Sequence, residues 1–156
     1  MLDNKIKLIQ VNIQAAQDHL LEIEAAMRLL EQKGMYPAVP HFQWQTRGGD
    51  GQYLYCIFRQ NGNGEYTGPG GKRKLYIGAD EAKIKEAKRM TANRENWERL
   101  KEHKSQVTIW INGCQNRLTS LEREADRVLE QSERWPKSNM VQIGAAPVGI
   151  AAEQKI

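Results

Sequence analysis

The sequence predicts an α+β fold, in which two long antiparallel coiled-coil helices flank a small three-stranded antiparallel sheet inserted between them. Two apolar patterns with helical spacing, one at the start and one in the second half of the chain, predict the helices. Three short runs of alternating apolar and polar residues, separated by glycine-rich links, predict the strands. A helical hairpin over residues 1–135, with the sheet at 41–78, therefore accounts for most of the 156 residues.

The first helix is predicted by apolar residues that recur in steps of four and three, which is the heptad spacing of a coiled coil. Asp3 is the expected N-cap and Gly34 the expected C-cap, because Pro37 prevents continuation. The helix should therefore run from about residue 3 to Lys33. Its seam contains Leu2, Ile6, Ile9, Ile13, Ala16, Leu20, Ile23, Met27 and Leu30.

The second helix is predicted to begin after Asp80, its expected N-cap, and to end near residue 134. The dipeptide at 112–113 is a turn signal, but the heptad spacing continues across it, so a continuous helix is favoured over a break. Asn93 and Lys104 are polar seam positions of the kind that fix register. The complete seam contains Met90, Asn93, Trp97, Leu100, Lys104, Val107, Ile111, Cys114, Leu118, Leu121, Ala125 and Val128.

The shorter first helix should leave the later part of this second seam uncovered. We therefore expect an oligomer or partner interface, because a bare heptad seam exposes apolar surface. A second copy of the chain, a fold-back at Gly113 and a different coiled-coil protein are the alternatives that would cover it. The expected interface residues are Val107, Ile111, Cys114, Leu118, Leu121, Ala125 and Val128.

The three strands are predicted at residues 41–47, 53–59 and 72–78, and strand alternation sorts their side chains onto two faces. The apolar face should pack on the helices, and it contains Phe42, Trp44, Leu54, Cys56, Phe58, Leu75 and Ile77. The opposite face is polar except for Ile57 and is called here the tyrosine face. It contains Gln43, Gln45, Arg47, Tyr53, Tyr55, Arg59, Lys72, Lys74 and Tyr76.

The basic excess of the chain lies in the same region. The formal net charge is +4, and residues 41–78 carry five basic groups against two acidic ones. Residues 79–104 carry eight basic groups against six acidic ones, whereas residues 1–40 and 105–135 are each slightly acidic. Arg and Lys contact phosphates, Tyr side chains stack, and a narrow antiparallel sheet can enter a major groove, although solubility alone also produces such a face. We expect a nucleic-acid partner, DNA in preference to RNA, bound by Arg47, Tyr53, Tyr55, Arg59, Tyr66, Lys72, Arg73, Lys74 and Tyr76.

The glycine-rich loop between the second and third strands does not match a nucleotide-binding motif. A Walker loop requires Ser or Thr after Gly-Lys, but Arg73 follows Lys72 here. The dinucleotide fingerprint fails as well, since Thr67 occupies its third glycine position and no helix follows. The glycines are therefore interpreted as turn residues, with Tyr66 at the tip of the loop as an anchor for a ligand.

The motifs YxYxxxR at 53–59 and GKRxxYIG at 71–78, preceded by Trp44 and followed by a charged helix, carry a resemblance. They resemble a family of small uncharacterised bacterial proteins in which such a sheet joins helices, over about residues 41–90. The sheet is also similar, more loosely, to the three-stranded arm-binding domain of tyrosine recombinases, which reads DNA. This second resemblance implies DNA contacts by Arg47, Arg59, Lys72 and Lys74.

Neither a catalytic site nor a metal site is predicted. The three histidines, His19, His41 and His103, are dispersed, and Cys56 and Cys114 lack any metal-binding spacing, so both are expected to be buried thiols. We therefore expect a non-enzymatic protein without cofactor or metal. No apolar run approaches the roughly 20 residues of a membrane span, and the N-terminus lacks a signal-peptide pattern, so a cytoplasmic location is expected.

Two functions are compatible with these patterns. The first is a DNA-binding protein that presents the basic sheet on a coiled-coil stalk, and we expect a homodimer or a coiled-coil protein partner. The alternative is a coiled-coil scaffold or protein-interaction subunit whose important surface is the seam at 107–128. Residues 136–156 are small, weakly apolar and without period, which predicts a disordered tail.

Overall fold

The computed structural model describes residues 1–135 and confirms the α+β class, with two helices flanking a three-stranded antiparallel sheet. The predicted tail at 136–156 lies outside the described residues. Within the described range, no helix is long and apolar enough to cross a membrane. The elements are α1 (Leu2–Lys33), β1 (His41–Thr46), β2 (Gln52–Ile57), a 3₁₀ turn (Pro69–Gly71), β3 (Lys74–Gly78) and α2 (Glu81–Glu133).

The chain consists of two compact units. The first spans Met1–Asn112, and the second begins at Gly113. The first unit contains α1, the sheet and the first part of α2. The described part of the second unit, residues 113–135, contains the remainder of α2.

The N-terminal cap predicted for α1 is wrong, whereas its C-terminal cap is confirmed. Met1 occupies the N-cap without a side-chain hydrogen bond, and Asp3 lies in the first turn, where its charge still favours the helix dipole. Gly34 ends the helix with a φ of 90°, a left-handed value that favours glycine, and its N–H donates to the Glu31 carbonyl at 3.2 Å.

The second helix begins and continues as predicted. The Asp80 carboxylate accepts a hydrogen bond from the Ala82 N–H at 3.0 Å, which is the N-cap contact. The helix is unbroken through Gly113 as far as Glu133, so the alternative of a break there is wrong. One glycine costs only about 1 kcal/mol of helix propensity, too little to end a helix of this length.

Side chains within the first unit join α1 to α2 in an antiparallel arrangement. The Trp97 indole N–H donates to the Glu31 carboxylate at 3.0 Å, and the Lys104 ammonium lies 3.1 Å from the Glu24 carboxylate. The Nε2 atoms of His19 and His103 are 3.0 Å apart. Earlier positions on α1 therefore contact later positions on α2.

Two polar side chains of α2 complete the C-terminus of α1. The amide of Asn93 donates to the Gly34 carbonyl at 2.9 Å, and the guanidinium of Arg89 donates to the Lys33 carbonyl at 2.8 Å. The last carbonyls of a helix lack intrahelical partners and carry partial negative charge, so both donors stabilise this end. The Asn93 side chain thus contacts the backbone of α1, and its role in fixing register stays a prediction.

The apolar seam is covered further along α2 than predicted. Ile13 and Ile23 of α1 are buried, and on α2 Ile111 is buried and Val107 half-buried. The expectation of a bare seam is therefore wrong at Ile111, while Val107, Cys114 and Leu118 are each half-buried. Within the first unit, Glu31 near the end of α1 contacts Trp97, so the two helices are paired further along α2 than the sequence-based pairing assumed.

The sheet has the order β1-β2-β3, with both pairs antiparallel. Each strand is shorter than predicted, since β1 and β2 end earlier and β3 begins later. A register shift between Leu54 and Tyr55 of β2 interrupts its pairing with β3. Beyond β2 the ladder continues through a single hydrogen bond, from the Phe58 N–H to the Arg73 carbonyl at 2.7 Å.

The core lies between the apolar sheet face and the start of α2. Tyr36, Cys56, Phe58 and Ala87 form its buried centre. Partly buried apolar side chains surround them: Ala38, Phe42, Leu75, Ile77 and Met90. The predicted apolar face is thereby confirmed except for Trp44, which is 49% exposed near the end of β1.

Candidate nucleic-acid interface

The tyrosine face is assembled from all three strands. The central strand β2 supplies Tyr53 and Tyr55, β3 supplies Lys74 and Tyr76, and β1 supplies Gln45. Side-chain contacts across the strands show that these five residues share one face. The sheet therefore brings together residues that are separated by up to 31 positions in the sequence.

The tyrosine rings form a cluster around Tyr76. Its ring centroid lies 5.2 Å from that of Tyr55 and 6.1 Å from that of Tyr53, with tilted planes in both pairs. Such separations are within the range in which aromatic pairs attract each other. Tyr76 is 52% exposed, whereas Tyr53 is half-buried, so Tyr76 presents most of the aromatic surface to solvent.

Two cations lie against these rings. The ammonium nitrogen of Lys74 is 3.9 Å from the Tyr55 ring centroid and donates to the Gln45 side-chain oxygen at 2.6 Å. The guanidinium carbon of Arg47 lies 5.8 Å from the Tyr76 centroid. A cation over a ring is attracted by the ring quadrupole, so both charges are positioned on the sheet.

The prediction that the Tyr55 side chain projects into solvent is wrong. Tyr55 is only 5% exposed, because Lys74 and Tyr76 lie against its ring. It remains on the tyrosine face and away from the core cluster. Tyr55 therefore supports the exposed residues from beneath and offers little of its own surface to a ligand.

Arg59 and Lys72 extend the basic character of this face beyond the ends of β2 and β3. Phe58 points into the core, so alternation directs Arg59 to the opposite side. Both cations are exposed, and within residues 1–135 neither side chain has a hydrogen bond or ion pair. They are therefore available to an external anion without the loss of an internal contact.

Two of the predicted binding residues, Tyr66 and Arg73, form a second, smaller cluster at the glycine-rich loop. The Arg73 guanidinium carbon lies 5.9 Å from the Tyr66 ring centroid. The prediction that Tyr66 lies at the loop tip is wrong: it is half-buried and bridges to Gln60 at the base of the turn. The tip is formed instead by residues 61–65, where the Asn61 side-chain oxygen accepts the Glu65 N–H at 3.1 Å.

The described residues contain no cluster of potential metal ligands. Within residues 1–135, no group of three or more His, Cys, Asp or Glu side chains could hold a metal ion. The tyrosine face instead combines cations, amides and aromatic rings, which can bind phosphates and planar groups. Gln45 was absent from the predicted binding residues, although its place on the same face was already evident from strand alternation.

Comparisons with known proteins identify no relative of this chain. The chain matches no family model, no curated protein sequence and no solved structure. The resemblances to small bacterial proteins and to the arm-binding domain of recombinases therefore stay expectations. The α+β class and the composition of the tyrosine face rest on the structure itself.

Proposed function

We propose that this is a non-enzymatic nucleic-acid-binding protein that contacts DNA with its tyrosine face. The observation that carries the proposal is the convergence of cations and an exposed ring on one side of the sheet. Arg47 and Lys74 lie beside the tyrosine rings, while Arg59 and Lys72 stand exposed at the margin. The helices of the first unit would act as a stalk for this surface.

Phosphate contacts would supply most of the affinity. Each cation that neutralises a phosphate releases condensed counterions, so binding weakens steeply as the salt concentration rises. The basic excess in the middle of the chain, at residues 41–104, would orient the sheet toward a polyanion.

We predict that the double variant Arg59→Ala/Lys72→Ala binds DNA more weakly than the wild type at every salt concentration. Loss of two phosphate contacts should also make the slope of log affinity against log salt shallower by about 2. Fluorescence anisotropy with a labelled oligonucleotide over a salt series measures both quantities. These two side chains are chosen because removing them breaks no internal contact of residues 1–135.

Lys88→Ala provides the matched control, because Lys88 is an exposed cation that belongs to α2 and not to a strand. It should leave both the affinity and the salt slope close to wild type. Equal binding by all three proteins, or binding that does not change with salt, would refute the proposed role of the tyrosine face.

A second candidate function is favoured by the exposed end of the α2 seam. In the second unit Leu121 is 51% and Val128 55% exposed, and Leu129 beside them is also exposed. A second copy of the chain would cover these residues in a parallel coiled coil. In such a pair Arg117 would lie opposite Glu122 of the second copy, a charge pairing that favours this orientation.

We predict that Leu121→Glu/Val128→Glu converts a dimer into a monomer, because two carboxylates would be buried in the seam. Sedimentation analysis over a concentration series measures the change. Asn116→Glu is the control, since the heptad places Asn116 on the side of the helix opposite the seam. A wild-type chain that stays monomeric at high concentration would rule out self-association through these residues.

A further inference from the structure

The most exposed aromatic ring of the tyrosine face can stack on an unpaired base but not on a base within a duplex. Tyr76 is 52% exposed, although it is surrounded by Tyr53, Tyr55 and Arg47 on the sheet. Bases in a duplex are already stacked on their neighbours, so their flat surfaces are not accessible to a side chain on a sheet. Bases in a single strand are accessible, and they stack on aromatic side chains without regard to sequence.

The surroundings of Tyr76 also suit one planar group. The ring borders an open groove of about 350 Å³ between the edge strand β3 and the start of α2. The other lining residues are Tyr36, Ile77, Ala82, Lys83, Glu86 and Ala87. A concave site with mostly apolar walls and a few polar groups is typical of small-ligand recognition. One unpaired base could therefore enter the groove and lie against the Tyr76 ring.

The charges of the groove lining favour a phosphate beside such a base. Glu86 is the acidic residue of the lining, and its carboxylate accepts a hydrogen bond from Arg89 at 2.8 Å. This hydrogen bond lowers the pKa of the Glu86 carboxyl, so the acid is ionised and paired with Arg89. Lys83 remains as the cation of the groove lining, while the Lys74 ammonium lies over Tyr55 on the tyrosine face.

We infer that the ligand of the tyrosine face is a single strand of DNA, with one base stacked on Tyr76 and the flanking phosphates contacted by the neighbouring cations. This inference rests on the proposed nucleic-acid function and narrows it. The narrow sheet then works as an open platform for unpaired bases, and the ring-cation pairs hold its side chains in place before binding.

The test compares three labelled probes of equal length by fluorescence anisotropy. They are an oligothymidylate, a DNA duplex, and an abasic strand, in which the sugars carry no bases. The wild type should bind the oligothymidylate most tightly. Tyr76→Leu should weaken that binding about fivefold to 150-fold, the range measured for loss of one stacked base. The same variant should change binding to the abasic strand by less than twofold, because phosphate contacts are retained.

Two variants keep the result specific to the ring. Tyr76→Phe retains the aromatic face and should bind the oligothymidylate as the wild type does. Trp44→Leu removes a similarly exposed aromatic side chain, 49% against 52%, from the opposite face of the sheet, and should have no effect. Circular dichroism checks that each variant is folded.

The outcomes separate this inference from the proposed function. A duplex bound as tightly as the oligothymidylate, or an unchanged affinity of Tyr76→Leu, would overturn the single-strand inference while the proposed function stands. Absence of binding to all three probes would overturn both. Tight binding of the oligothymidylate that falls only in Tyr76→Leu would establish stacking on this ring.

Discussion

Replacing Gly68 by alanine should lower the free energy of unfolding by about 3 kcal/mol, at the upper end of the usual cost of overpacking. A Cβ atom at this position would lie 2.0 Å from the Lys72 carbonyl oxygen and 2.7 Å from the Phe58 ring. The first is a backbone atom of the same hairpin, and the second belongs to the core, so neither can withdraw easily. Urea denaturation of the two proteins measures the difference.

Gly62→Ala is the matched control in the same loop. No atom lies within 4 Å of a Cβ built at Gly62, and its φ is not in the left-handed region. Its stability should stay within about 0.5 kcal/mol of the wild type, as for most exposed substitutions. If Gly68→Ala proved as stable as Gly62→Ala, the close packing of this loop on Phe58 would be incorrect.

Alkaline pH should destabilise the protein through the buried phenol of Tyr36. Burial in the core, with the Cys56 thiol beside it, raises the pKa of Tyr36 to about 12, from about 10 in an unfolded chain. The unfolded chain therefore ionises first. The stability from the neutral phenol is complete below pH 10 and is lost between about pH 10 and 12.

The full loss is about 3 kcal/mol, since each pKa unit corresponds to about 1.4 kcal/mol, and about 2 kcal/mol of it should be reached by pH 11.5. Burial also raises the pKa of the Cys56 thiol, so this group acts in the same direction as the pH rises. Urea denaturation at a series of pH values from 9 to 11.5 should show the decline, with stability measured against the pH 9 value.

Tyr36→Phe tests whether Tyr36 causes this decline. Phenylalanine keeps the edge-to-face contact with Phe58, whose ring centroid is 5.7 Å away, but it has no proton to lose. The variant should therefore retain more of its pH 9 stability at pH 11.5 than the wild type. An identical decline in both proteins would assign the alkaline loss to other groups.

Both predictions concern the support of the candidate site. Phe58 lies between the glycine-rich loop and the core, and Cys56 of β2 lies on the apolar face, within the core. Because Tyr55 is the neighbour of Cys56 in the central strand, a disturbed core would also displace the tyrosine face. Stability and nucleic-acid affinity should thus be measured together for every core variant.

Local patterns in the sequence were sufficient for the architecture. Heptad spacing located both helices, and it correctly predicted that α2 continues through Gly113. Asp80 and Gly34 marked helix ends because capping depends on residues that are close in sequence. Alternation in the strands separated the core side chains from the tyrosine face, with Trp44 as the exception.

Contacts between distant segments required the tertiary structure. The burial of Tyr55 follows from Lys74, which lies over its ring from the neighbouring strand, and strand alternation alone gives only the face on which each residue lies. Similarly, the coverage of Ile111 depends on the register between α1 and α2, in which Asn93 contacts Gly34 from 59 positions away. The sequence by itself determined which elements form and which faces are apolar, because spacing and capping are local. Only the tertiary structure decided which apolar and aromatic side chains stay exposed, because exposure depends on what packs against them.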